Sequence, residues 1–348
     1  MPATKKATPA RKAHVAVFDA TTLLAKGVKD QLLSRDFPIA SMRLYTSNED
    51  PDANLTEFGG EAILVSQPDV DALGRLDIAF FCGTAAEGAR YLEWPGRKGF
   101  TGIDLTAATI GSARVPLVNA SVNPEAIPAG PGLIGTPHPI ALMLSTALTA
   151  VERGCGLLEA SATVFQPVSE IGEPGIAELY QQTLGLLNFH EQPREIFGRQ
   201  VAFNVVPDVA FGTGGVPGSG STEGVEKEIR RITGERFPVA AAIVLAPVFH
   251  GHAAMARVVL PKGRTAGDLK AALAGAEGIK VAEATDPITP VERAGEAGIL
   301  ISGVRPAGGA GAFWLWIVSD NLTSGAALNA VRIAEAVWAR SGARKEPA

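Results

Sequence analysis

Residues 14–38 read HVAVFDATTLLAKGVKDQLLSRDFP, and the fold is decided here. The opening HVAVF is apolar and β-branched. Leu24, Val28 and Leu32 then recur at i, i+4 and i+8 until Phe37-Pro38 halts the pattern. A strand, a turn and an amphipathic helix follow in succession. Further strands are expected over 41–45, around 62–65 and over 77–82, which is apolar from Ile78 onward. Strands alternating with helical stretches indicate a parallel, doubly wound sheet whose ligands lie at the carboxyl ends of its strands. Beyond a proline-rich stretch the strands lengthen, over 159–166, 239–249, 253–260 and 313–319, and indicate a mixed or antiparallel second sheet. Helices are expected over 223–233 and 266–273, and a last one over 325–340 presents Leu328, Val331, Ala334 and Trp338 on one face.

Composition narrows the function classes. The 348 residues suggest two domains at about 150 residues each. With 46% apolar and 19% charged residues, the chain is neither disordered nor a charge-rich coiled coil. A net charge of -5 offers no basic field for a phosphate backbone, so nucleic acid is excluded as a partner. Residues 126–151 carry no Asp, Glu, Lys or Arg, but Pro128, Pro131, Pro137 and Pro139 confine any helix to about 140–151, too short for a membrane span. Residues 1–13 hold four basic residues and no apolar core, and read as a solvated tail rather than a secretory signal. Cys82 and Cys155 sit in apolar contexts and read as buried free thiols of a reducing cytosol.

The segments RDFPI, VNPEAI, AFNVVP, PVFHGH and SDNLTSGAALNAVRIAE, together with VAVFDATTLLAKGV at the first turn, follow one another in an order that resembles the aspartate-semialdehyde dehydrogenase family over about residues 14–340. FGRQVAFN and APVFHGH resemble its Usg-type branch, whose members lack the dehydrogenase cysteine. The resemblance implies an α/β fold. A Rossmann-like nucleotide-binding domain (14–136 with 322–341) is joined to an α+β dimerisation domain (137–321). It also implies NADP chemistry through a cysteine thiolate, a proton-shuttling histidine and hydride transfer.

Residue by residue, the family pattern is partly kept. Gln166 matches the family's active-site glutamine, His252 its acid/base histidine and Glu228 its glutamate for the substrate amino group. The family's P-N-C-S/T reads Pro137-His138-Pro139-Ile140, which puts Pro139 at the nucleophile position, where it is a helix starter without chemistry. Leu245 and Ile110 stand where the family's substrate-gripping and phosphate-meeting arginines align, and neither replaces a guanidinium fork.

At the cofactor seat, Asp19, Thr22 and Ala25 replace three glycines, so β-carbons and a carboxylate stand where pyrophosphate would approach. The bland reading is that Asp19, Thr21 and Thr22 cap the first helix. The family's A-S-E-R, whose arginine neutralises the NADP 2′-phosphate, reads Thr46-Ser47-Asn48-Glu49 with Asp50 next. No cofactor is therefore expected, and NAD(P) is implied by the family alone. His138, His250 and His252 would suit zinc, but no acidic residue or cysteine accompanies them in sequence, and no metal is expected. The resulting expectation is a catalytically inactive relative, cytoplasmic, acting as a binding or structural homodimer with a small-molecule ligand in its cleft. The alternative is an NAD(P)-dependent semialdehyde dehydrogenase of amino-acid biosynthesis using non-standard residues.

Overall fold

Strand burial on both faces dictates the first half of the molecule. In the computed structural model, which describes residues 11–48, 55–207, 220–282, 288–321 and 325–343, the chain runs β1 (Ala13–Phe18), α1 (Leu23–Ser34), β2 (Ile39–Leu44), β3 (Leu55–Phe58), β4 (Glu61–Leu64), β5 (Ile78–Phe81), α2 (Ala85–Ala89), α3 (Trp94–Lys98), β6 (Thr101–Asp104) and β7 (Gly132–Gly135). There follow α4 (Pro139–Cys155), β8 (Glu159–Gln166), α5 (Glu173–Leu187), β9 (Val206–Pro207), α6 (Thr222–Thr233), β10 (Val239–Leu245), β11 (His252–Val259), α7 (Ala266–Ala274), β12 (Ile279–Val281), α8 (Pro290–Arg293), β13 (Ile299–Pro306), β14 (Ala312–Ser319) and α9 (Ala326–Ala343).

The first sheet, in the order β2-β1-β5-β6-β7, is parallel throughout. One face packs Val15, Val17, Ile78 and Phe80 against α1 and α9. The other gathers Phe18, Phe81 and Tyr91, with Trp94 against them. Such two-sided cover is what parallel strands require. The second sheet, in the order β12-β13-β14-β11-β8-β10-β9, is mixed, with β8/β10 and β12/β13 parallel. One face carries α4, α6 and α7 over the larger core. Its opposite face keeps Phe165, Met255, Trp314 and Trp316 half-buried.

Three expectations change. The strand expected around 62–65 does not join the parallel sheet: β4 pairs only with β3 in a separate antiparallel ribbon. Phe58 and Ile63 pack the ribbon against the first core, while Leu55 and Leu64, at 64% and 74% exposure, lie on its solvent side. The tail expected over 1–13 ends sooner. Ala13 pairs with Ile39, Arg11 stacks at 3.9 Å over the Trp338 ring, and residues 1–10 lie outside the described set. The helix expected from 140 begins at Pro139 and runs on to Cys155. Strands β6, β7, β12 and β13 and helix α5 were not anticipated. Among the described residues no helix is long and apolar enough to cross a membrane.

Phe18 is the keystone of the aromatic cluster, with ring centroids 4.9 Å from Tyr45, 5.0 Å from Phe81 and 4.9 Å from Tyr91. Phe18→Ala is expected to cost about 3–5 kcal/mol in a urea titration followed by circular dichroism. A loss under about 1 kcal/mol would show that this cluster is not packed.

Candidate functional site

The start of α4 organises the site. Pro139 occupies the first helical position, where its missing N–H costs nothing. His138 is the cap: its Nδ1 accepts from the Ile140 N–H at 3.2 Å, so a neutral ring carries its proton on Nε2. The His138 backbone N–H donates to Glu228 Oε2 at 2.7 Å, which joins α4 to α6. His138 Nε2 then lies 3.2 Å from Glu170 Oε1, and the other oxygen of Glu170 lies 3.3 Å from His252 Nε2. Glu170 comes from the single turn of 3-10 helix that follows β8. His252 opens β11, beside Gln166 at the end of β8 by the strand register. Asn321 steadies the turn, since its side chain bonds the Glu170 carboxyl and accepts from the Gly251 N–H at 3.0 Å.

These groups are buried and under-paired. Exposure is 3% for His138, 1% for Gln166, 2% for Glu228 and 1% for His252. His138 Nε2, both polar atoms of Gln166, Glu170 Oε2, Glu228 Oε1 and His252 Nε2 lack an aligned hydrogen-bond partner in the protein. Native interiors seldom leave such atoms without a partner, so their convergence marks a place for a ligand or ordered water. Burial drives each group toward its neutral form. It raises the Glu170 carboxyl to about 8 against the opposing Asn321 hydrogen bond, and raises Glu228 to about 7 against the His138 N–H. Burial lowers both imidazoles to about 3, with His138 adding to the effect on His252.

A cavity of about 450 Å³ opens above this cluster. It is bounded by the start of α1, the loops after β5 and β6, the approach to α4 and the 169–174 turn. At its far end Asp19 terminates β1 with φ 55, and its Oδ1 accepts from the Ser47 N–H (2.9 Å) and hydroxyl (2.7 Å). The Ser47 hydroxyl also lies 2.8 Å from Glu87 Oε1, although its single proton serves one carboxylate at a time. A Cβ built on Gly83 would fall 2.3 Å from Asp19 Oδ2 and 2.6 Å from Glu87 Oε2, so both carboxylates close over that backbone. Burial chiefly raises the Asp19 carboxyl.

Several expectations are corrected here. Thr22 caps α1 through the Ala25 N–H, but Asp19 does not, because its carboxylate is taken by Ser47. Ala25 is fully buried in the core. An acidic residue does accompany the histidines: Glu170 sits between His138 and His252. His250 precedes β11 and does not share its strand face. Each imidazole meets a different carboxylate oxygen, and among the described residues no group of three His, Cys, Asp or Glu side chains is placed to hold a metal ion. Leu245 packs with Val168, Leu179, Phe197 and Val206 in a satellite core, while Ile110 lines the cavity. Glu49 and Asp50 lie outside the described residues.

Residues 6–129 match the semialdehyde dehydrogenase NAD binding domain and residues 151–324 its dimerisation domain. The chain belongs to the aspartate-semialdehyde dehydrogenase family. It is 29% identical to the aspartate-semialdehyde dehydrogenase of Rickettsia bellii, covering 93% of this chain and 97% of that one. It is 30% identical to the USG-1 protein homolog of Pseudomonas aeruginosa, covering 92% and 96%. The crystal structure of Vibrio cholerae aspartate semialdehyde dehydrogenase II complexed with ASA superposes with a TM-score of 0.85 at 28% identity, covering 95% of this chain and 99% of that one.

Sequence reasoning placed Gln166, Glu228 and His252 in this family's cleft, and the fold brings them together. It missed Glu170, for which the one signal was a carboxylate four residues beyond Gln166 in VFQPVSEIG.

Because the Glu170 carboxyl is raised from 4.5 to about 8, the folded chain holds a proton that the unfolded chain releases. Its contribution to stability is full below pH 4.5 and is lost as pH rises through about 8. The lowered imidazoles act oppositely. Their contribution is present above pH 6.5 and is lost as pH falls toward about 3, so it stays constant on the alkaline side. Between about pH 7 and about pH 9 the wild type should therefore lose more stability than Glu170→Gln in paired urea titrations. Equal losses would refute this protonation scheme.

Proposed function

We propose that this chain is a catalytically inactive member of the aspartate-semialdehyde dehydrogenase family, of the Usg type, acting as a homodimer that binds a small molecule in its cleft. The observation that carries this reading is Pro139 at the start of α4, where the family resemblance places the thiolate. A nucleophile must come from elsewhere or not at all. Cys82 reaches the cavity, but it is 2% exposed and burial pushes its thiol well above the ordinary range, away from the reactive thiolate. Cys155 closes α4 at the opposite end from Pro139. Gln166, Glu228 and His252 are then the retained floor of the cleft, within a unit of residues 137–321 joined to one of 14–136 with 322–341.

We read the cofactor seat as closed. A dinucleotide pyrophosphate needs close backbone approach and helix N–H donors at the carboxyl end of β1. Asp19 and Glu87 place carboxylates over Gly83 at that end, and Thr22 takes the Ala25 N–H. Electrostatic repulsion and lost donors act in the same direction. No step of chemistry is therefore routed through NADP.

Assayed for phosphate-dependent NADP reduction with aspartate semialdehyde, the protein and its Pro139→Cys variant should both stay at the level of a His252→Ala control. NADP should bind more weakly than about 1 mM, about -4 kcal/mol, by calorimetry. Clear turnover, or a micromolar constant for NADP, would overturn the reading.

The dimer rests on the second sheet. Its helix-free face carries Phe165, Met255, Trp314 and Trp316 half-buried, and an apolar sheet face needs a partner. Light scattering should give about twice the single-chain 36.0 kDa at micromolar concentration. Met255→Asp should shift it toward the single-chain value, and a wild-type monomer would refute the dimer.

A further inference from the structure

Away from the cleft, one side of α1 buries a cation that the proposed function does not use. Lys26, Lys29, Asp30 and Leu33 recur at i, i+3, i+4 and i+7, so they share one side of the helix. The ribbon of β3 and β4 stands opposite, held on the first core by Phe58 and Ile63. Those four α1 residues, Ala20 and Thr21 of the first turn and residues 56–60 of the ribbon enclose a cavity of about 460 Å³. That is an ordinary volume for a small-molecule site. Among the described residues it shares no lining residue with the cleft.

Lys29 is the buried charge of this cavity. It is 3% exposed, whereas Lys26, Asp30 and Glu57 stand in solvent at the rim. Its Nζ donates to the Ala20 carbonyl at 3.1 Å and to Thr56 Oγ1, and Thr56 in turn donates to the same carbonyl at 3.3 Å. Both acceptors are neutral and both line the cavity, which sets Nζ in its wall. An ammonium has three N–H groups. Among the described residues the third has no acceptor, and no carboxylate forms an ion pair with Nζ. Burial lowers the Lys29 ammonium from 10.5, against the charges of Asp30, Cys82 and Glu57 and with that of Lys26, yet leaves it a cation at neutral pH. A tie between helix and ribbon needs no charge, and a neutral side chain would make it without the desolvation cost of an unpaired ammonium.

We propose that this second cavity binds a small hydroxylated monocarboxylate, its carboxylate accepting from the unused N–H of Lys29 and its hydroxyls meeting Thr21, Thr56 and the Gly59-Gly60 turn. The site stands apart from the cleft, and the proposal does not depend on how the cleft is read. A charge-assisted hydrogen bond to a carboxylate is stronger than one to a neutral group and supplies the counter-charge that Lys29 lacks. One buried cation suits one negative charge. A second anionic group, as in a phosphate ester, would meet Asp30 and Glu57 at the rim. Apart from Leu33 and Phe58, the wall offers hydroxyls, charged groups and backbone rather than apolar surface, which favours a hydroxylated body over a hydrocarbon one.

The test is calorimetry and thermal shift on the full chain with gluconate, set against uncharged glucose and against 6-phosphogluconate. The expected result is saturable binding and stabilisation by gluconate, with glucose at least about tenfold weaker and 6-phosphogluconate weaker than gluconate. Lys29→Met, close in length and without the charge, should abolish the preference for gluconate over glucose while keeping the fold by circular dichroism. Lys26→Gln, on the rim, should keep it. Gluconate holds one charge from about pH 7 to about pH 10, so the fall in its affinity expected over that range reports loss of the proton from Lys29. Should Lys29→Met not fold, this pH profile and Lys26→Gln decide the matter. Gluconate that binds no better than glucose, that binds Lys29→Met undiminished, that loses its preference in Lys26→Gln or that binds equally across the pH range would overturn the proposal.

Discussion

The hydrogen bond from the His138 N–H to Glu228 holds the molecule's functional centre in place. It fixes where α4 begins, and α4 is buried along most of its length in the core of the second sheet, against α6 and α7. A carboxylate accepting a backbone N–H in the interior is a strong contact in local terms and a costly one to break, because its removal leaves a desolvated charge or an orphaned donor. With the start of α4 fixed, His138 can face only one way, and Glu170 is caught between it and His252. The depth of the cleft, the neutral state of its floor and the placing of Gln166 beside His252 all follow from that anchor.

On the proposed reading, the positions that align with the family's reactive groups have structural roles here. Pro139 starts a helix. Leu245 fills a satellite core with Val168, Leu179, Phe197 and Val206. Ile110 forms a cavity wall. Each of these side chains fits its surroundings better than a thiolate or guanidinium would, since a charged group carries a large desolvation cost unless a partner is present. Reactive groups are commonly held at the expense of stability, and on that reading a helix starter and apolar packing in their place run in the stabilising direction.

Much of the fold was legible because local pattern and global packing agree. Strand β8 was bounded correctly, and α6 to within one residue of its start. β6 was invisible because TGID reads as a turn, yet all four residues are buried between β5 and β7. The ribbon of β3 and β4 resembled another strand of the parallel sheet because local propensity does not say which neighbour a strand will pair with. At the site, family motifs pointed to Gln166, Glu228 and His252, while no motif pointed to Glu170. A single-turn element leaves no periodicity, and its partners His138 and His252 come from distant parts of the chain. Ser47 escaped notice as the partner of Asp19 for the same reason.

The two ends of the cavity argue together. Loss of a nucleophile alone would leave a seat shaped for an anionic substrate and a pyrophosphate, with cationic groups still in place. Instead, among the described residues the lining holds Glu87, Glu170 and Glu173 and no Lys or Arg, and the carboxylates in and beside it are built in. Asp19 is bonded by both donors of Ser47, Glu87 closes a capping box with Thr84, and Glu170 is held by Asn321. Desolvating several acidic groups costs several kcal/mol unless such bonds offset it. A cleft that had merely fallen out of use would gain stability by replacing them with apolar residues. Glu87 and Glu170, which line the cavity, are held in place by these bonds, so the acidic side of the cleft is a fixed part of the fold.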